Sequence, residues 1–159
     1  MPDHIMASQQ QISLPVKVLD HACGLPAYAY PGDAGLDLVS AVDIELAPFE
    51  RALIPTGISI AIPRGFAGYV LPRSGMAIKH GLTMINAPGL IDADYRGELK
   101  VAAVNLDAKT SITISRGDRI AQLVISAVPF VELVQVDELD STERGTGGFG
   151  SSGTKSTVQ

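Results

Sequence analysis

Apolar and polar residues alternate along much of the chain, with the period expected of strands buried on one face. The alternation is clearest where Ile112 and Ile114 lie between hydroxyl side chains. Similar apolar segments are bounded by Pro and Gly, which are typical of turns. The pattern predicts strands at 14–19, 42–46, 58–62, 66–71, 99–106, 111–115, 120–128 and 131–136, and a strand-like run at 33–40 that contains Asp37.

Only one segment indicates a helix. Met76 to His80 can form one or two helical turns, and Ser74 lies where it can cap them. Many short strands joined by tight turns are typical of a sandwich, jelly roll or barrel. We therefore predict an all-β fold, a jelly-roll β-sandwich with one short helix.

The ends of the chain have a different pattern from its middle. Residues 1–13 are polar and aperiodic, which indicates a disordered lead. The chain of 159 residues suits one domain, predicted at 14–139. From 140 to 159 the apolar pattern stops, and a Gly- and Ser-rich stretch indicates a flexible C-terminal arm.

Composition narrows the possible functions. The net charge of −5 argues against general nucleic-acid binding, which relies on clustered Lys and Arg. Cys23 is the only cysteine, so an intrachain disulfide and a multi-cysteine zinc site are excluded. The polar start lacks the pattern of a secretory signal and no stretch is long enough to cross a membrane, so we expect a cytoplasmic protein.

The stretch from Ile85 to Val101 concentrates turn residues and carboxylates between two apolar edges. Turn residues at 86, 88 and 89 followed by an extended pattern at 98–101 predict a β-hairpin. Its backbone N–H and C=O groups can read the edge of a flat polar ring. Alternation along a strand would point Asp92 and Asp94 to the same face, so spacing does not choose between them.

Two further segments are candidates for phosphate binding. Arg73-Ser74-Gly75 precedes the predicted helix and offers a guanidinium beside free N–H groups. In the tail, Gly145 to Gly150 matches G-x-G-x-x-G, but no βαβ unit surrounds it, so we reject a dinucleotide fingerprint. Gly-rich backbone near Arg144 can still wrap phosphate oxygens, and Phe149 can stack on a base.

Five segments together resemble the ordered motifs of the trimeric dUTP diphosphatases (dUTPases). They cover the chain from about Leu14 to Gly153 and lie at 33–38, 72–75, 86–97, 116–122 and 144–153. Ala87 stands where the family often has Ser. The resemblance implies a homotrimer whose active sites combine motifs of more than one subunit. It also implies hydrolysis of dUTP to dUMP and pyrophosphate with Mg²⁺, a reaction that limits uracil in DNA and supplies dUMP for thymidylate synthesis.

The resemblance also implies roles for individual residues. Asp92 would bind the 3′-hydroxyl and orient or deprotonate the attacking water, and Asp37 would hold the metal through water. Uracil would be bound by Asn86 and the backbone of Gly89, Leu90, Ile91 and Asp92. Tyr95 would lie against the deoxyribose, with Lys100 near the sugar. Phosphates would be held by Arg73, Ser74, Gly75 and Gln122, and the closing arm would contribute Arg144, Phe149, Gly150, Ser151 and Ser152.

Two alternatives share the expected fold. A dCTP deaminase would use the same pocket to attack the base instead of the phosphate, and a non-catalytic trimeric module would only bind nucleotides. Arg73-Ser74-Gly75 and the complete Gly-rich tail favour the diphosphatase over the deaminase.

Overall fold

The computed structural model describes residues 11–149 of the chain. The chain divides into two compact units, Met1–Pro129 and Phe130–Gln159. In its described part, residues 11–129, the first unit contains ten strands and one helix, in the order β1 Val16–Val18, β2 Leu36–Val39, β3 Ile44–Leu46, β4 Arg51–Ile60, β5 Phe66–Pro72, α1 Ser74–His80, β6 Leu82–Met84, β7 Gly89–Ile91, β8 Glu98–Asn105, β9 Ile112–Ile114 and β10 Arg119–Ala127. No helix in residues 11–149 is long and apolar enough to span a membrane.

The strands form two antiparallel four-stranded sheets and a two-stranded ribbon. One sheet has the order β1-β4-β8-β6, the other has the order β2-β10-β5-β7, and β3 pairs with β9. Alternate residues of both sheets point into one shared core, as the polar/apolar period requires. The predicted all-β jelly-roll sandwich with one short helix is confirmed.

The core is aliphatic and closely covered. Ile54, Leu99 and Val101 of one sheet and Val70 and Leu123 of the other are at most 2% exposed. Each such side chain contributes about 1.5–3 kcal/mol by leaving water. This core holds the ends of β2, β5 and β10 at the positions from which the polar site residues project.

The predicted hairpin at 85–101 is confirmed at its two edges and wrong between them. β6, which ends at Met84, pairs antiparallel with β8, and Ile85 N–H donates to Ala102 O at 2.9 Å. β7 pairs with β5 in one sheet, with Tyr69 opposite Leu90, whereas β8 pairs with β4 and β6 in the other. Residues 92–97 therefore carry the chain between the sheets. The turn residues predicted a reversal correctly, but the strand that lies inside it, β7, pairs with β5 and not with β8.

The helix begins differently from the prediction. Arg73 is the N-cap residue, no side chain caps the helix there, and Ser74 is its first residue, so the predicted Ser74 cap is wrong. At the other end Gly81 adopts a φ of 73° and its N–H donates to Ala77 O at 3.0 Å. The left-handed conformation is one that glycine adopts without steric cost, which explains where the helix ends.

β4 begins at Arg51, seven residues before the predicted start at 58. The register of its pairing with β8 shifts between Pro55 and Ser59, around Gly57 with a φ of 76°. Pro and Gly are tolerated in a strand at such an irregularity. The sequence pattern treated them as the end of a strand, whereas in the fold they lie within it.

The second unit has no helix or strand in its described part, residues 130–149. The strand predicted at 131–136 is therefore wrong. Phe130 is 97% exposed and Leu133 is 92% exposed. An apolar segment becomes a strand only where a neighbouring strand accepts its hydrogen bonds, and apolar character alone supplies no such partner. The predicted bounds of the lead, 1–13, and of the arm, 140–159, remain predictions, since 1–10 and 150–159 lie outside the described residues.

Candidate active site

Asp37 occupies the centre of a charged cluster at the end of β2. Its Oδ1 lies 3.0 Å from Arg73 Nε, and its Oδ2 accepts a hydrogen bond from an Arg119 guanidinium nitrogen at 3.1 Å. Arg73 also donates to the backbone O of Arg119 at 3.1 Å. The carboxylate is thus held between two guanidiniums, with its side chain only 14% exposed. Sequence reasoning did not single out Arg119.

Gln122 joins this cluster through the sheet. It lies directly opposite Asp37 in the β2–β10 register, and its Nε2 donates to Pro72 O at 3.0 Å. A Cβ on Gly35 would lie 2.9 Å from Gln122 Oε1 and 3.2 Å from Gln122 Cβ, so glycine lets the Gln122 side chain approach without shifting. The amide is therefore fixed beside the segment that leads into α1.

An open cleft of about 580 Å³ is formed around this cluster. Its lining includes the predicted residues Asp37, Arg73, Ser74, Gly75 and Gln122. Lys79 and His80, from the last turn of α1, also line it and were not predicted. Guanidinium, ammonium, hydroxyl and amide donors converge on one space, an arrangement that suits a polyphosphate.

A second cavity, of about 270 Å³, lies where the chain leaves β7. Its lining contains the predicted residues Leu90, Ile91, Asp92, Tyr95 and Lys100, together with Leu53, Glu98 and Leu99. Apolar walls with a few polar groups suit a flat ring and a sugar. The predicted residues Asn86 and Gly89 are not among the described lining residues of this cavity, and they lie against each other, since a Cβ on the buried Gly89 would lie 3.3 Å from Asn86 Nδ2.

The positions of Asp92 and Asp94 correct the expectation that both point to one face of a strand. β7 ends at Ile91, and a turn follows in which Tyr95 N–H donates to Asp92 O at 3.1 Å. Alternation does not apply within a turn. Both aspartates are exposed, but only Asp92 is among the described residues that line the cavity.

Glu98 is a cavity residue that sequence reasoning missed. Its Oε1 is 2.7 Å from His21 Nε2 and accepts the Gly57 N–H at 2.9 Å, while its Oε2 is 3.8 Å from Lys100 Nζ. Burial raises the pKa of Glu98, but the bonds from His21 and Gly57 and the nearby charges outweigh burial and lower its pKa below the ordinary value. No signal in the sequence marks this role, because His21 lies far from Glu98 along the chain.

The described side chains alone do not form a metal site. Within residues 11–149, no three or more His, Cys, Asp or Glu side chains are grouped to hold a metal ion. Asp33 and Asp37 are the carboxylates among the described residues that line the cleft, and both oxygens of Asp37 face guanidiniums. A hard divalent cation would therefore need oxygen ligands from a bound phosphate in addition to Asp37.

The predicted site residues fall into separate groups. Among the described residues, the cleft around Asp37 and the cavity beside Asp92 have no lining residue in common. Arg144 and the exposed Phe149 belong to the second unit, where Arg144 Nε donates to Gly147 O at 2.8 Å. Gly150, Ser151 and Ser152 lie outside the described residues.

The chain matches the family model described as dUTPase over residues 22–153. It is 55% identical over 142 residues to a deoxyuridine 5′-triphosphate nucleotidohydrolase of Thermobifida fusca, covering 89% of this chain and 79% of that protein. It is also 55% identical over 146 residues to the protein of the same name from Mycolicibacterium gilvum, covering 89% of this chain and 95% of that protein.

Solved structures of dUTPases are also similar to this chain. A mutant dUTPase of Staphylococcus bacteriophage 80alpha with dUpNHpp superposes with a TM-score of 0.84 at 35% identity, covering 91% of this chain and 100% of that chain. A mutant dUTPase of phage phi11 of S. aureus, described as coordinating a structural Mg(II) ion, superposes with a TM-score of 0.75 at 31% identity, covering 82% of this chain and 100% of that chain.

Proposed function

The chain belongs to the dUTPase family, and on that premise we propose that it hydrolyses dUTP to dUMP and pyrophosphate using the residues of the two cavities. The family match over residues 22–153 is the observation that supports this reaction. The two cavities suit the two parts of dUTP, because one is rich in donors for phosphate and the other is suited to a base and a sugar.

The cleft around Asp37 is the proposed triphosphate site. Arg73, Ser74, Gly75 and Gln122 hold the phosphates, and the guanidinium of Arg73 offers a fork that matches phosphate oxygens. Bound Mg²⁺ would neutralise phosphate charge while keeping part of its water shell, and Asp37 is placed to hold that shell through water. If Arg73 binds phosphate instead of Asp37, the Oδ1 of Asp37 becomes available for this role, while its Oδ2 stays bonded to Arg119.

The cavity beside Asp92 is the proposed nucleoside site. The backbone of Gly89 to Asp92 and the amide of Asn86 bind uracil, Tyr95 lies against the deoxyribose, and Lys100 lies near the sugar. A close-fitting backbone pocket rejects cytosine by unpaired hydrogen-bonding groups, and rejects the 5-methyl of thymine by overlap. The carboxylate of Asp92 binds the 3′-hydroxyl and orients the water that attacks the α-phosphorus.

A homotrimer explains why the two cavities lie apart in one chain. A triphosphate bound in the cleft of one subunit would meet the nucleoside cavity of another, so each active site would combine motifs from more than one subunit. The arm at 140–159 would complete the site, with Phe149 stacked on uracil and Arg144, Gly150, Ser151 and Ser152 around the phosphates. We also place the reaction in the cytoplasm, where it limits uracil in DNA and supplies dUMP for thymidylate synthesis.

Pyrophosphate release tests the proposal directly. The protein is incubated with dUTP, dTTP, dCTP and UTP in parallel, first with Mg²⁺ and then with EDTA. We expect rapid release from dUTP alone, strongly reduced by EDTA. Ammonia from dCTP without pyrophosphate would instead indicate a deaminase, and neither product would indicate a nucleotide-binding module.

A further inference from the structure

Glu98 has no role in the proposed chemistry, yet it is the most extensively bonded carboxylate beside the nucleoside cavity. Its side chain is only 15% exposed and contacts His21, the Gly57 N–H and Lys100. These partners come from three different segments of the chain. A half-buried carboxylate with several charge-assisted contacts holds its own backbone in place.

The Gly57 N–H needs this carboxylate. The register of β4 against β8 shifts between Pro55 and Ser59, which takes Gly57 out of the regular ladder. Glu98 Oε1 accepts that N–H at 2.9 Å, while Gly57 O accepts from Leu19 N–H at 2.8 Å. The first residue of β8 is thereby tied to the irregularity in β4 and to the loop that carries His21.

Glu98 is also joined to the residue that faces the sugar. Its backbone O accepts the hydroxyl of Tyr95 at 3.0 Å, and Tyr95 N–H donates to Asp92 O. A Cβ on Gly97 would overlap the Tyr95 ring, so the ring packs directly over that glycine. Tyr95 is 44% exposed, and the hydrogen bond from its hydroxyl to Glu98 O holds the far end of the ring.

We propose that Glu98 is a positioning residue that fixes the Tyr95 ring through its own backbone carbonyl, and so determines discrimination between deoxyribose and ribose substrates. This inference rests on the proposed function, in which Tyr95 lies against the deoxyribose. A ring held firmly against C2′ leaves no space for a 2′-hydroxyl. A ring that can swing away admits UTP while still accepting dUTP.

Three variants separate this role from a purely structural one. Tyr95→Phe removes only the hydroxyl, Glu98→Ala removes the anchor, and Glu98→Gln keeps an oxygen that can accept the Gly57 N–H. Glu45→Ala is the matched control, because Glu45 is an exposed strand glutamate on β3. For each, kcat/KM is measured for dUTP and for UTP, with the wild-type protein measured first.

We expect Glu98→Ala and Tyr95→Phe each to lower the ratio of kcat/KM for dUTP over UTP by up to about tenfold, the effect of losing one hydrogen bond. Glu98→Gln retains most of the ratio and Glu45→Ala all of it. The double variant Glu98→Ala/Tyr95→Phe shows no greater loss than either single variant, because both remove the same constraint.

If Tyr95→Phe turns over dUTP normally and keeps the wild-type ratio of kcat/KM for dUTP over UTP, this inference is overturned and the proposed function is not. That result is decisive even if Glu98→Ala fails to fold. Additive losses in the double variant overturn it as well, since they would mean that Glu98 acts independently of the Tyr95 hydroxyl. Absence of dUTP turnover in the wild type refutes the proposed function and this inference with it.

Discussion

Replacing Asp37 with Asn tests whether the two arginines around it act as the geometry indicates. The substitution keeps the shape of the side chain and removes its charge. Two contacts are weakened together, the 3.0 Å contact with Arg73 and the 3.1 Å contact with Arg119. Two guanidiniums then face each other without the carboxylate between them.

The exposure of each partner sets the expected magnitude. The side chain of Arg73 is 27% exposed and that of Arg119 is 51% exposed, against 14% for Asp37. A hydrogen bond to a charged group contributes about 1.5–3 kcal/mol when sheltered, whereas an exposed ion pair contributes about 0.2–1 kcal/mol. We therefore expect a coupling of about 1–2 kcal/mol between Asp37 and Arg73, and of about 0.5 kcal/mol between Asp37 and Arg119.

Double-mutant cycles in urea measure both couplings. The cycles combine Asp37→Asn with Arg73→Gln and with Arg119→Gln, at one fixed protein concentration because subunit association changes apparent stability. Glu45→Gln is the control, since Glu45 is an exposed carboxylate on β3 and is not among the described residues that line the cleft. A coupling to Arg119 equal to or larger than that to Arg73 would refute the reasoning from exposure.

The single variant Asp37→Asn also tests the metal role of Asp37. We expect it to need a higher Mg²⁺ concentration for half-maximal hydrolysis of dUTP, and an unchanged Mg²⁺ dependence would contradict that role.

Four further results are expected. Asp92→Asn should abolish turnover and largely spare nucleotide binding, measured by dUTP hydrolysis and by calorimetry with dUpNHpp; persistent turnover would exclude Asp92 as the water-orienting group. Gly57→Ala should destabilise the protein by about 3 kcal/mol in urea unfolding, because a φ of 76° disfavours a side chain and the new Cβ would lie 2.6 Å from Ala22 Cβ. Glu98 has a pKa lowered from 4.5, so its stabilising contribution should be present above that pH and disappear as the pH falls through the lowered pKa; the stability difference between wild type and Glu98→Gln should shrink accordingly. Deleting 140–159 should reduce kcat/KM for dUTP strongly, and an unchanged value would be incompatible with a closing arm.

Much of the strand pattern followed from local sequence. The segment predicted at 111–115 is β9 at Ile112–Ile114, and the segment predicted at 66–71 is β5 at Phe66–Pro72. In both, the alternation of apolar residues reports directly which face is buried, since one face of each sandwich sheet packs on the core. The helix was predicted at 76–80 and observed from Ser74 to His80, and only its cap was misjudged.

The candidate site was predictable to a smaller extent. Resemblance to the dUTPase family identified Asp37, Arg73 and Gln122, and the structure brings these three into one cleft. Spacing left Asp92 and Asp94 equivalent, and the turn after Ile91 places only Asp92 at the cavity among the described residues. Arg119 and Glu98 were missed because their importance depends on partners that lie many residues away.

The sequence by itself determined the fold class, the positions of most turns and the family, because period, turn chemistry and motif order are local properties of the chain. The tertiary structure alone decided that β7 pairs with β5, that Pro55 and Gly57 lie within a strand, and that Glu98 meets His21 and Gly57. Hydrogen bonds between strands and the environment of a carboxylate depend on which distant segments meet. That choice is made by burial of the whole core, and no short window of sequence contains it.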